Sequence, residues 1–373
     1  MKKILFLTGT RADFGKIKSL ITKLDSHPDF EAFVFVTGMH LQKEYGYTVI
    51  EIQRCKFSNV HTFENHTHET TMDLTLAKTI EGFSKYCNEI RPDMIVVHGD
   101  RVETLAGAIT GSLNNILVAH IEGGELSGTV DELIRHSVSK LSHIHFVSNE
   151  EAKKRLLQMG EIESSVYEIG SPDIDIMFSD ALPSLEKVKS YYQIEFDNYA
   201  VAMFHPVTTE ADEMQNYADN FVESLENDSH NYVVIFPNND LGSRFIIDSY
   251  NRLKDNPRFR IFPSVRFEYF LTLLKNSQFI IGNSSAGIRE APYYGIPVIN
   301  IGTRQQNRAT NAEILNVGYH KSEITEALDS IDSREISDNR NVFGNGNSTD
   351  LFLESLQNPE IWTLSHQKQF RDL

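Results

Sequence analysis

The chain has 373 residues, of which 40% are hydrophobic and 23% charged, as expected for a soluble globular protein of two or three domains. Its net charge of -17 disfavours a general binder of nucleic acids or anionic membranes, because long-range repulsion opposes both. Only Cys55 and Cys87 are present, too few for a disulfide framework, and no apolar run approaches the ~20 residues of a membrane span. These features predict a soluble, cytoplasmic protein.

Short apolar runs alternate with helical patterns along the chain, and each run predicts a strand that is buried on both faces of a parallel sheet. Between the first two runs, apolar residues recur at helical spacing and make a strand–helix–strand unit. The pattern predicts a doubly wound α/β fold. The predicted strands are 4–7, 33–36, 94–97, 116–121, 144–147, 166–169, 200–204, 233–236, 259–262, 279–281 and 298–301.

A change in pattern between the two strand series marks a domain boundary. Pro172 and Pro183 interrupt the series, and a polar helix at 184–192 precedes the next strand. We predict an N-terminal Rossmann-like domain at 1–178 and a C-terminal Rossmann-like domain at 179–350, with parallel sheets that face a cleft. The remaining segment, 351–373, carries Phe352, Leu356, Trp362 and Phe370 and is predicted to pack back on the N-terminal domain.

Polar and charged residues are concentrated where the predicted strands end. Ligands bind beyond the carboxyl ends of strands in open parallel sheets, so loops of this kind that converge indicate an active site. The loops are 8–16, 98–101 and 122–125 in the first half, and 205–206, 237–240, 282–287 and 302–304 in the second half.

Two of these loops are candidates for binding phosphate. The segment from Gly9 to Lys16 fits neither a Walker A loop nor a G-x-G-x-x-G fingerprint, but Arg11 and Lys16 lie at the start of a helix, where anions are favoured. A plain strand–helix turn with a solvated arginine is the alternative. Asn283 to Gly287 offers the hydroxyls of Ser284 and Ser285 and little bulk, which suits a diphosphate, although a capped helix with a glycine in its first turn fits equally well.

Three carboxylates are the candidates for acid–base chemistry. Asp100 and Glu122 end neighbouring strands, and Asp131 begins a helix after a glycine-rich turn. Arg135 follows Asp131 by four residues, so that the two side chains can pair on one helix face. Arginines close to several acids allow one carboxylate to act as an acid and another as a base. Acids that only cap helices or solvate loops are the alternative.

Other polar clusters are weaker candidates. His66, His68 and Glu69 are predicted to lie in a surface loop rather than to hold a metal. His143 and His145 alternate along a predicted strand and are expected to make local hydrogen bonds. We predict no metal site.

Taken together, the motifs resemble the UDP-GlcNAc 2-epimerases over nearly the whole chain. Within that family the chain is similar to the hydrolysing branch of sialic acid synthesis, because Ala12-Asp13 replace the Pro-Glu of the other branch and Asp131 replaces a glutamate. The motifs are Gly9-Thr10-Arg11-Ala12-Asp13, His98-Gly99-Asp100-Arg101, His120-Ile121-Glu122-Gly123-Gly124-Glu125 with Ser127-Gly128-Thr129, His205-Pro206-Val207-Thr208-Thr209, Gly282-Asn283-Ser284-Ser285 with Gly287, Arg289-Glu290, and Gly302-Thr303-Arg304-Gln305.

The resemblance implies a GT-B-like fold and a reaction that converts UDP-GlcNAc and water into UDP and N-acetylmannosamine. It implies anti-elimination of UDP to 2-acetamidoglucal followed by syn hydration, without a cofactor or metal, in a homodimer or homotetramer. The implied catalytic residues are Asp100, Glu122, Asp131 and His205. The implied substrate-binding residues are Arg11, Lys16, Arg101, Arg135, Asn238, Val265, Arg266, Ser284, Ser285, Gly287, Glu290 and Arg304, with Glu290 on the ribose and the backbone near Val265 and Arg266 on uracil.

The motifs also fit three alternative functions. A close relative of the family acts on a UDP-2,4-diacetamido-trideoxy sugar in legionaminic acid synthesis and shares most of these motifs. A GT-B glycosyltransferase would use the same UDP-sugar with an acceptor. A non-catalytic nucleotide-sugar sensor would bind UDP without turnover.

Overall fold

The computed structural model describes residues 1–66, 71–127, 129–179, 182–306, 314–331 and 343–371. The chain divides into two compact units, each built on one parallel sheet. The N-terminal unit comprises Met1–Glu125, Asp131–Ser179 and Val342–Leu373, and the C-terminal unit comprises Leu126–Val130 and Asp180–Asn341. Parallel sheets with helical crossovers confirm the predicted α/β class.

The sheet of the N-terminal unit has the order β3-β2-β1-β4-β5-β6-β7, with every neighbouring pair parallel. Its central strands are apolar and almost fully buried on both faces, as their composition predicts. The strands are β1 Lys2–Thr8, β2 Phe30–Val36, β3 Val60–Thr62, β4 Met94–His98, β5 Leu117–Ile121, β6 Ile144–Val147 and β7 Val166–Glu168.

The sheet of the C-terminal unit has the order β10-β9-β8-β11-β12-β13, again with parallel neighbours. Its core joins apolar strand residues to the inner faces of the flanking helices, among them Phe204, Phe221 and Tyr250. The strands are β8 Ala200–Met203, β9 Tyr232–Ile235, β10 Phe259–Phe262, β11 Ile280–Gly282, β12 Val298–Ile301 and β13 Ile314–Val317.

Along the chain, helices connect successive strands, and further helices follow the last strand of each sheet. They are α1 Arg11–Asp25, α2 Val49–Cys55, α3 Met72–Ile90, α4 Val102–Leu113, α5 Val130–Leu141, α6 Glu150–Gln158, α7 Pro172–Met177, α8 Leu185–Tyr192, α9 Met214–Asn227, α10 Ser243–Tyr250, α11 Phe267–Lys275, α12 Ala286–Arg289, α13 Lys321–Ile331 and α14 Ser348–Gln357. Within the described ranges, none of them has the length and apolar character that crossing a lipid bilayer requires.

Two of the four edge strands, β3 and β13, are absent from the sequence-based prediction. Strand β3 has only three residues, none of them buried, and two of them are His61 and Thr62. Strand β13 contains Asn316, whose side-chain oxygen accepts a hydrogen bond from Asn300 of β12 at 2.7 Å. Because these two edge strands are short and partly polar, they lack the continuous apolar run that identifies a buried strand.

The C-terminal segment belongs to the N-terminal unit. The ring of Phe352 in α14 is fully buried and lies 4.8 Å from the ring of Phe146 and 6.4 Å from that of Phe6, between ring centroids. Asp175 of α7 accepts hydrogen bonds from the first two backbone N–H groups of α14, at 2.8 and 2.7 Å. Phe370, in contrast, is 91% exposed.

Farther along, Lys368 ties this segment to the buried carboxylate of Glu161. The ammonium of Lys368 lies 2.5 Å from Glu161, which also contacts Nζ of Lys140 at 2.9 Å and Nε2 of His145 at 3.0 Å. Burial alone would raise the pKa of Glu161, but the hydrogen bond from His145 and the charges of His145 and Lys368 lower it to about 2. Glu161 therefore stays ionised and anchors the chain terminus.

The ionisation of Glu161 makes the stability of the N-terminal unit depend on pH. The folded-state pKa lies below the ordinary value of 4.5, so the stabilising contribution of ionised Glu161 is complete above pH 4.5 and is lost as the pH falls toward 2. Between about pH 5 and about pH 3, we expect the melting temperature of the wild type to fall more steeply than that of Glu161→Gln. Glu163→Gln, whose side chain is 71% exposed, serves as the control. Equal slopes for the wild type and Glu161→Gln would contradict this expectation.

Candidate active site

The side chains of the candidate carboxylates in the N-terminal unit have different surroundings. Asp100 follows β4, is 21% exposed and accepts a charge-assisted hydrogen bond from the guanidinium of Arg135 in α5. Another nitrogen of Arg135 donates to the backbone oxygen of Glu122 at 2.6 Å, and Glu125 lies 3.8 Å away. Arg135 therefore joins the loops after β4 and β5, a contact that its spacing from Asp131 could not predict.

Glu122 is the most enclosed of the candidate acids, with a side chain only 4% exposed. One carboxylate oxygen accepts a hydrogen bond from the hydroxyl of Ser171 and lies 3.4 Å from Nζ of Lys16. The other lies 3.1 Å from Nε2 of His98. The hydrogen bonds from Ser171 and Lys16 to the same oxygen hold this carboxylate in one orientation.

The backbone around Glu122 explains the two glycines that follow it. Glu122 itself has a φ of 62°, in the left-handed region that costs a side-chain-bearing residue about 1 kcal/mol. A Cβ on Gly123 would lie 2.8 Å from His120 Nδ1, and one on Gly124 would lie 2.3 Å from a backbone oxygen of α6. The turn that presents the carboxylate therefore requires glycine at both positions.

His120 is a contributor that the sequence argument does not single out. Its Nε2 lies 2.8 Å from the backbone oxygen of Gly99 and its Nδ1 lies 3.1 Å from the hydroxyl of Ser139. Burial lowers its pKa to about 3, so the ring is neutral. A carbonyl oxygen only accepts, so Nε2 carries the proton and Nδ1 accepts from Ser139. The ring thus links the loop of Asp100 to α5.

The predicted anion-binding residues of the N-terminal unit begin α1 and α4. Arg11 is the first residue of α1 and Arg101 caps α4; both are partly buried, and Arg101 Nε lies 3.8 Å from Glu103. Lys16 lies one turn and a half into α1, with its ammonium 3.0 Å from Asp173 and 3.4 Å from Glu122. Two carboxylates are thus among its partners, and one of them, Asp173, lies outside the motifs of the sequence.

Asp13 and Asp131 both lie in the first turn of a helix, and Asp13 also caps its helix. The carboxylate of Asp13 accepts hydrogen bonds from the hydroxyl of Thr8 and from the backbone N–H groups of Gly9 and Thr10, at 2.5, 3.0 and 3.1 Å. Burial raises the pKa of Asp13 above its usual value, and these hydrogen bonds only partly offset the increase. Asp131 lies in the first turn of α5, is 8% exposed and precedes Arg135 by one helical turn.

In the C-terminal unit, His205 follows β8 and is oriented by two asparagines that follow the strands on either side of it, β9 and β11. The side chain of Asn283 accepts from the backbone N–H of His205 at 2.6 Å and donates to its carbonyl oxygen at 2.9 Å. The backbone N–H of Asn238 donates to Nδ1 of His205 at 3.0 Å. Because Nδ1 accepts, the proton of the neutral ring is on Nε2. Asn238, predicted to bind substrate, also donates through its side chain to Asp240 at 2.5 Å.

The loop with Ser284 and Ser285 leads into α12, which is shorter than the helix of a typical strand–helix unit. Helix α12 has only four residues and is followed by a 3-10 turn at Ala291–Tyr294, because Pro292 lacks the N–H that a longer helix requires. Ser284 and Ser285 are partly exposed, and Glu290 is 4% exposed at the carboxyl end of α12. A Cβ on Gly287 would lie 2.9 Å from Val298, so glycine is needed for close packing on β12.

The remaining residues of this unit that are predicted to bind substrate are Arg304, Val265 and Arg266, and the two arginines contact backbone or aromatic groups. The guanidinium of Arg304 donates to the carbonyl oxygen of Asn283 at 3.2 Å. Val265 is fully buried, and the backbone N–H of Arg266 donates to the hydroxyl of Tyr192 at 2.9 Å. The guanidinium of Arg266 lies 4.7 Å from the ring centroid of Tyr191. The tyrosines of α8 have no signal in the motif pattern, since only the tertiary fold brings them to Arg266.

The weaker candidates are accounted for where the structure describes them. Nε2 of His143 lies 3.0 Å from the carbonyl oxygen of His366, and His145 contacts Glu161. His68, Glu69 and Gly128 lie outside the described residues. Within the described ranges, no group of three or more His, Cys, Asp or Glu side chains is arranged to hold a metal ion.

Comparison with known proteins identifies the family. The family model described as UDP-N-acetylglucosamine 2-epimerase matches residues 22–357. The UDP-N-acetylglucosamine 2-epimerase of Neisseria meningitidis serogroup B is 50% identical over 100% of both chains. The UDP-N,N'-diacetylbacillosamine 2-epimerase (hydrolyzing) of Legionella pneumophila is 32% identical over 96% of both chains.

Solved structures confirm the predicted GT-B-like fold. A crystal structure of Methanocaldococcus jannaschii UDP-GlcNAc 2-epimerase in complex with UDP-GlcNAc and UDP has a TM-score of 0.81 and 23% identity, and the match covers 95% of this chain and 99% of that chain. The family model extends over most of both units, as do the motifs from Gly9 to Gln305. The resemblance seen in the sequence is thereby confirmed, and the chain belongs to the UDP-N-acetylglucosamine 2-epimerase family.

Proposed function

We propose that this protein is a hydrolysing epimerase, which converts UDP-N-acetylglucosamine and water into UDP and N-acetylmannosamine for sialic acid synthesis. The main observation behind the proposal is a pair of carboxylates, Asp100 and Glu122, that follow the neighbouring strands β4 and β5. Asp100 is partly exposed and held by Arg135, whereas Glu122 is enclosed by Lys16, His98 and Ser171. Acids in such different surroundings suit opposite proton transfers. The 50% identical Neisseria protein supports the choice of UDP-N-acetylglucosamine.

The proposed reaction has two steps. A carboxylate removes the proton from C2 while the bond from C1 to the diphosphate oxygen breaks, which gives UDP and 2-acetamidoglucal. Water then adds across the double bond from the face that UDP left: C1 gains the hydroxyl, and C2 gains a proton on that same face, opposite to the face from which the first proton was removed. We assign these proton transfers to Asp100, Glu122 and Asp131 as a set, because each lies at the carboxyl edge of the N-terminal sheet or at the helix that follows it.

We assign the UDP moiety to the C-terminal unit. Ser284, Ser285 and Gly287 are proposed to contact the diphosphate, with Arg304 beside them on the carbonyl oxygen of Asn283. Glu290 is proposed to accept from the ribose hydroxyls, and the backbone at Val265 and Arg266 to contact uracil. His205, whose ring proton is on Nε2, can donate to the departing diphosphate and offset its charge. Arg11, Lys16 and Arg101 are the proposed cations of the N-terminal unit.

Incubation with UDP-N-acetylglucosamine in deuterated water tests this proposal. We expect free N-acetylmannosamine that carries deuterium at C2, observed by NMR, with no acceptor added. Production of a glycoside only when an acceptor is present would favour a glycosyltransferase. Binding of UDP without turnover of any UDP-sugar would favour a sensor. Product without C2 deuterium would contradict exchange of the C2 proton with solvent during the reaction.

The second candidate is the same chemistry on a UDP-2,4-diacetamido-trideoxy sugar. The 32% identity to the Legionella epimerase, whose name specifies UDP-N,N'-diacetylbacillosamine, favours this candidate. Parallel assays with both UDP-sugars discriminate by kcat/KM, and we expect UDP-N-acetylglucosamine to give the higher value. We also propose a homodimer or homotetramer, which sedimentation of the purified protein measures.

A further inference from the structure

The carboxylate of Asp173 is fully buried and lies beside the proposed acid–base residues. It belongs to the first turn of α7, and its oxygen lies 3.0 Å from the ammonium of Lys16. The same ammonium lies 3.4 Å from Glu122. Two carboxylates therefore share one cation in a part of the unit from which water is nearly excluded. Asp173 lies outside all of the motifs recognised in the sequence.

The position of Asp173 follows from how α7 is fixed in the N-terminal unit. Ser171, just before the helix, donates its backbone N–H to the carbonyl oxygen of Phe343 and its hydroxyl to Glu122. Asp175, one residue beyond Ile174, binds the first backbone N–H groups of α14. Ser171 thus fixes the start of α7 beside Glu122, whereas the carboxylate of Asp175 faces α14.

The charges of this cluster do not cancel. Lys16 contributes one positive charge, and ionised Asp173 and Glu122 contribute one negative charge each. Charged or titratable groups on the elements packed around it include His98 at the end of β4, Arg135 at the carbonyl oxygen of Glu122, and Arg11 and Asp13 in α1, whereas Asp175 of α7 faces α14. A neighbouring negative charge favours the protonated form of a carboxyl group, and a neighbouring cation favours the ionised form.

We infer that Asp173 is a positioning residue for the reaction: it holds the ammonium of Lys16 beside Glu122 and shares its charge. This inference rests on the proposed function through the role given to Glu122. Without Asp173, the full charge of Lys16 acts on Glu122, which then loses its proton at lower pH. Lys16 also loses one of the contacts that fix its position beside Glu122.

The test compares Asp173→Asn with Asp175→Asn, two near-isosteric changes in the same helix. For Asp173→Asn we expect kcat to fall about tenfold or more, KM to change less than about threefold, and the pH–rate limb that reports Glu122 to move about one unit toward acid. Asp175→Asn should keep the wild-type kcat and pH profile, although its melting temperature falls because α14 loses its cap. An unmoved limb in Asp173→Asn, or an equal loss of kcat in both variants, would overturn the inference.

A second measurement does not depend on turnover. The Cε resonance of Lys16, assigned by its absence in Lys16→Arg, should titrate at lower pH in Asp173→Asn than in the wild type, because an adjacent anion is removed. Asp173→Ser provides the same loss of charge with less bulk if the asparagine variant does not fold. An unchanged Lys16 titration in the folded variant would also overturn the inference. Absence of turnover in the wild type would refute the proposed function instead, and the Lys16 titration would still decide the inference.

Discussion

Asp100→Asn is expected to lower kcat about 10³-fold or more and to leave the affinity for UDP within about twofold of the wild type. A general acid or base acts mainly on the transition state, so its loss affects turnover rather than the binding of the product nucleotide. The amide has nearly the shape of the carboxylate, but it can neither take up a proton nor return one.

The surroundings of Asp100 make this variant informative. At 21% exposure its side chain is accessible to a ligand, whereas Glu122 is only 4% exposed. Arg135 is its charged partner, so the asparagine leaves a guanidinium that still donates to the carbonyl oxygen of Glu122 at 2.6 Å. The fold around the site should therefore persist.

Asp93→Asn provides the matched control for this experiment. Asp93 precedes the same strand, β4, and accepts from Nζ of Lys2 and the backbone N–H of Lys3, both at 2.9 Å. Activity is measured by release of N-acetylmannosamine and UDP affinity by calorimetry. Retention of more than about a tenth of wild-type kcat by Asp100→Asn would remove Asp100 from the acid–base set, because such residues contribute at least about 10²-fold.

The sequence predicts the edge of the sheet at which the chemistry lies better than it predicts the contacts there. Asp100 and Glu122 are identifiable because each directly follows an apolar strand, and parallel strands end at one edge. Asp173 and Ser171 are not identifiable in this way, since they belong to a different connection, which tertiary packing alone brings to Glu122. Likewise, the i, i+4 spacing pairs Arg135 with Asp131, but the structure places its guanidinium on Asp100.

The same limit applies to elements whose length is set by single residues. The serine loop predicts a helix after β11, but Pro292 and the left-handed Gly295 end that stretch after one turn of α12 and a 3-10 turn. The strands β3 and β13 are too short and polar to be recognised without the neighbours that pair with them. Local patterns thus predict the fold class, whereas long-range pairing decides the edges and the partners of each charge.

Arg135→Lys is expected to lower kcat by about 10²-fold, although it keeps the positive charge. The guanidinium donates at once to the carboxylate of Asp100 and to the carbonyl oxygen of Glu122, and Glu125 lies 3.8 Å away. A lysine ammonium is a single point of charge and cannot span both loops with the same geometry. Arg155→Lys is the control, because Arg155 contacts the same turn only through the carbonyl oxygen of Gly124, at 3.2 Å.

Removal of the charge should affect stability as well. Arg135→Met leaves the carboxylates of Asp100 and Glu125 without this cation, and loss of one partner from a buried ion pair typically costs about 3–5 kcal/mol of unfolding free energy. Urea unfolding measures this cost, and we expect Arg135→Lys to lose less than half of it. A methionine variant as stable as the wild type would show that the ion pair contributes nothing to folding.

A double-mutant cycle separates the two roles of Arg135. If the arginine acts by orienting Asp100, then Arg135→Lys should lower kcat much less in the Asp100→Asn background than in the wild type, because the group that it orients is already inactive. If the two losses multiply, Arg135 acts on the reaction independently of Asp100, through Glu122 or directly on the sugar. Since the guanidinium contacts both loops, we expect partial coupling, with the residual effect of Arg135→Lys arising at the carbonyl oxygen of Glu122.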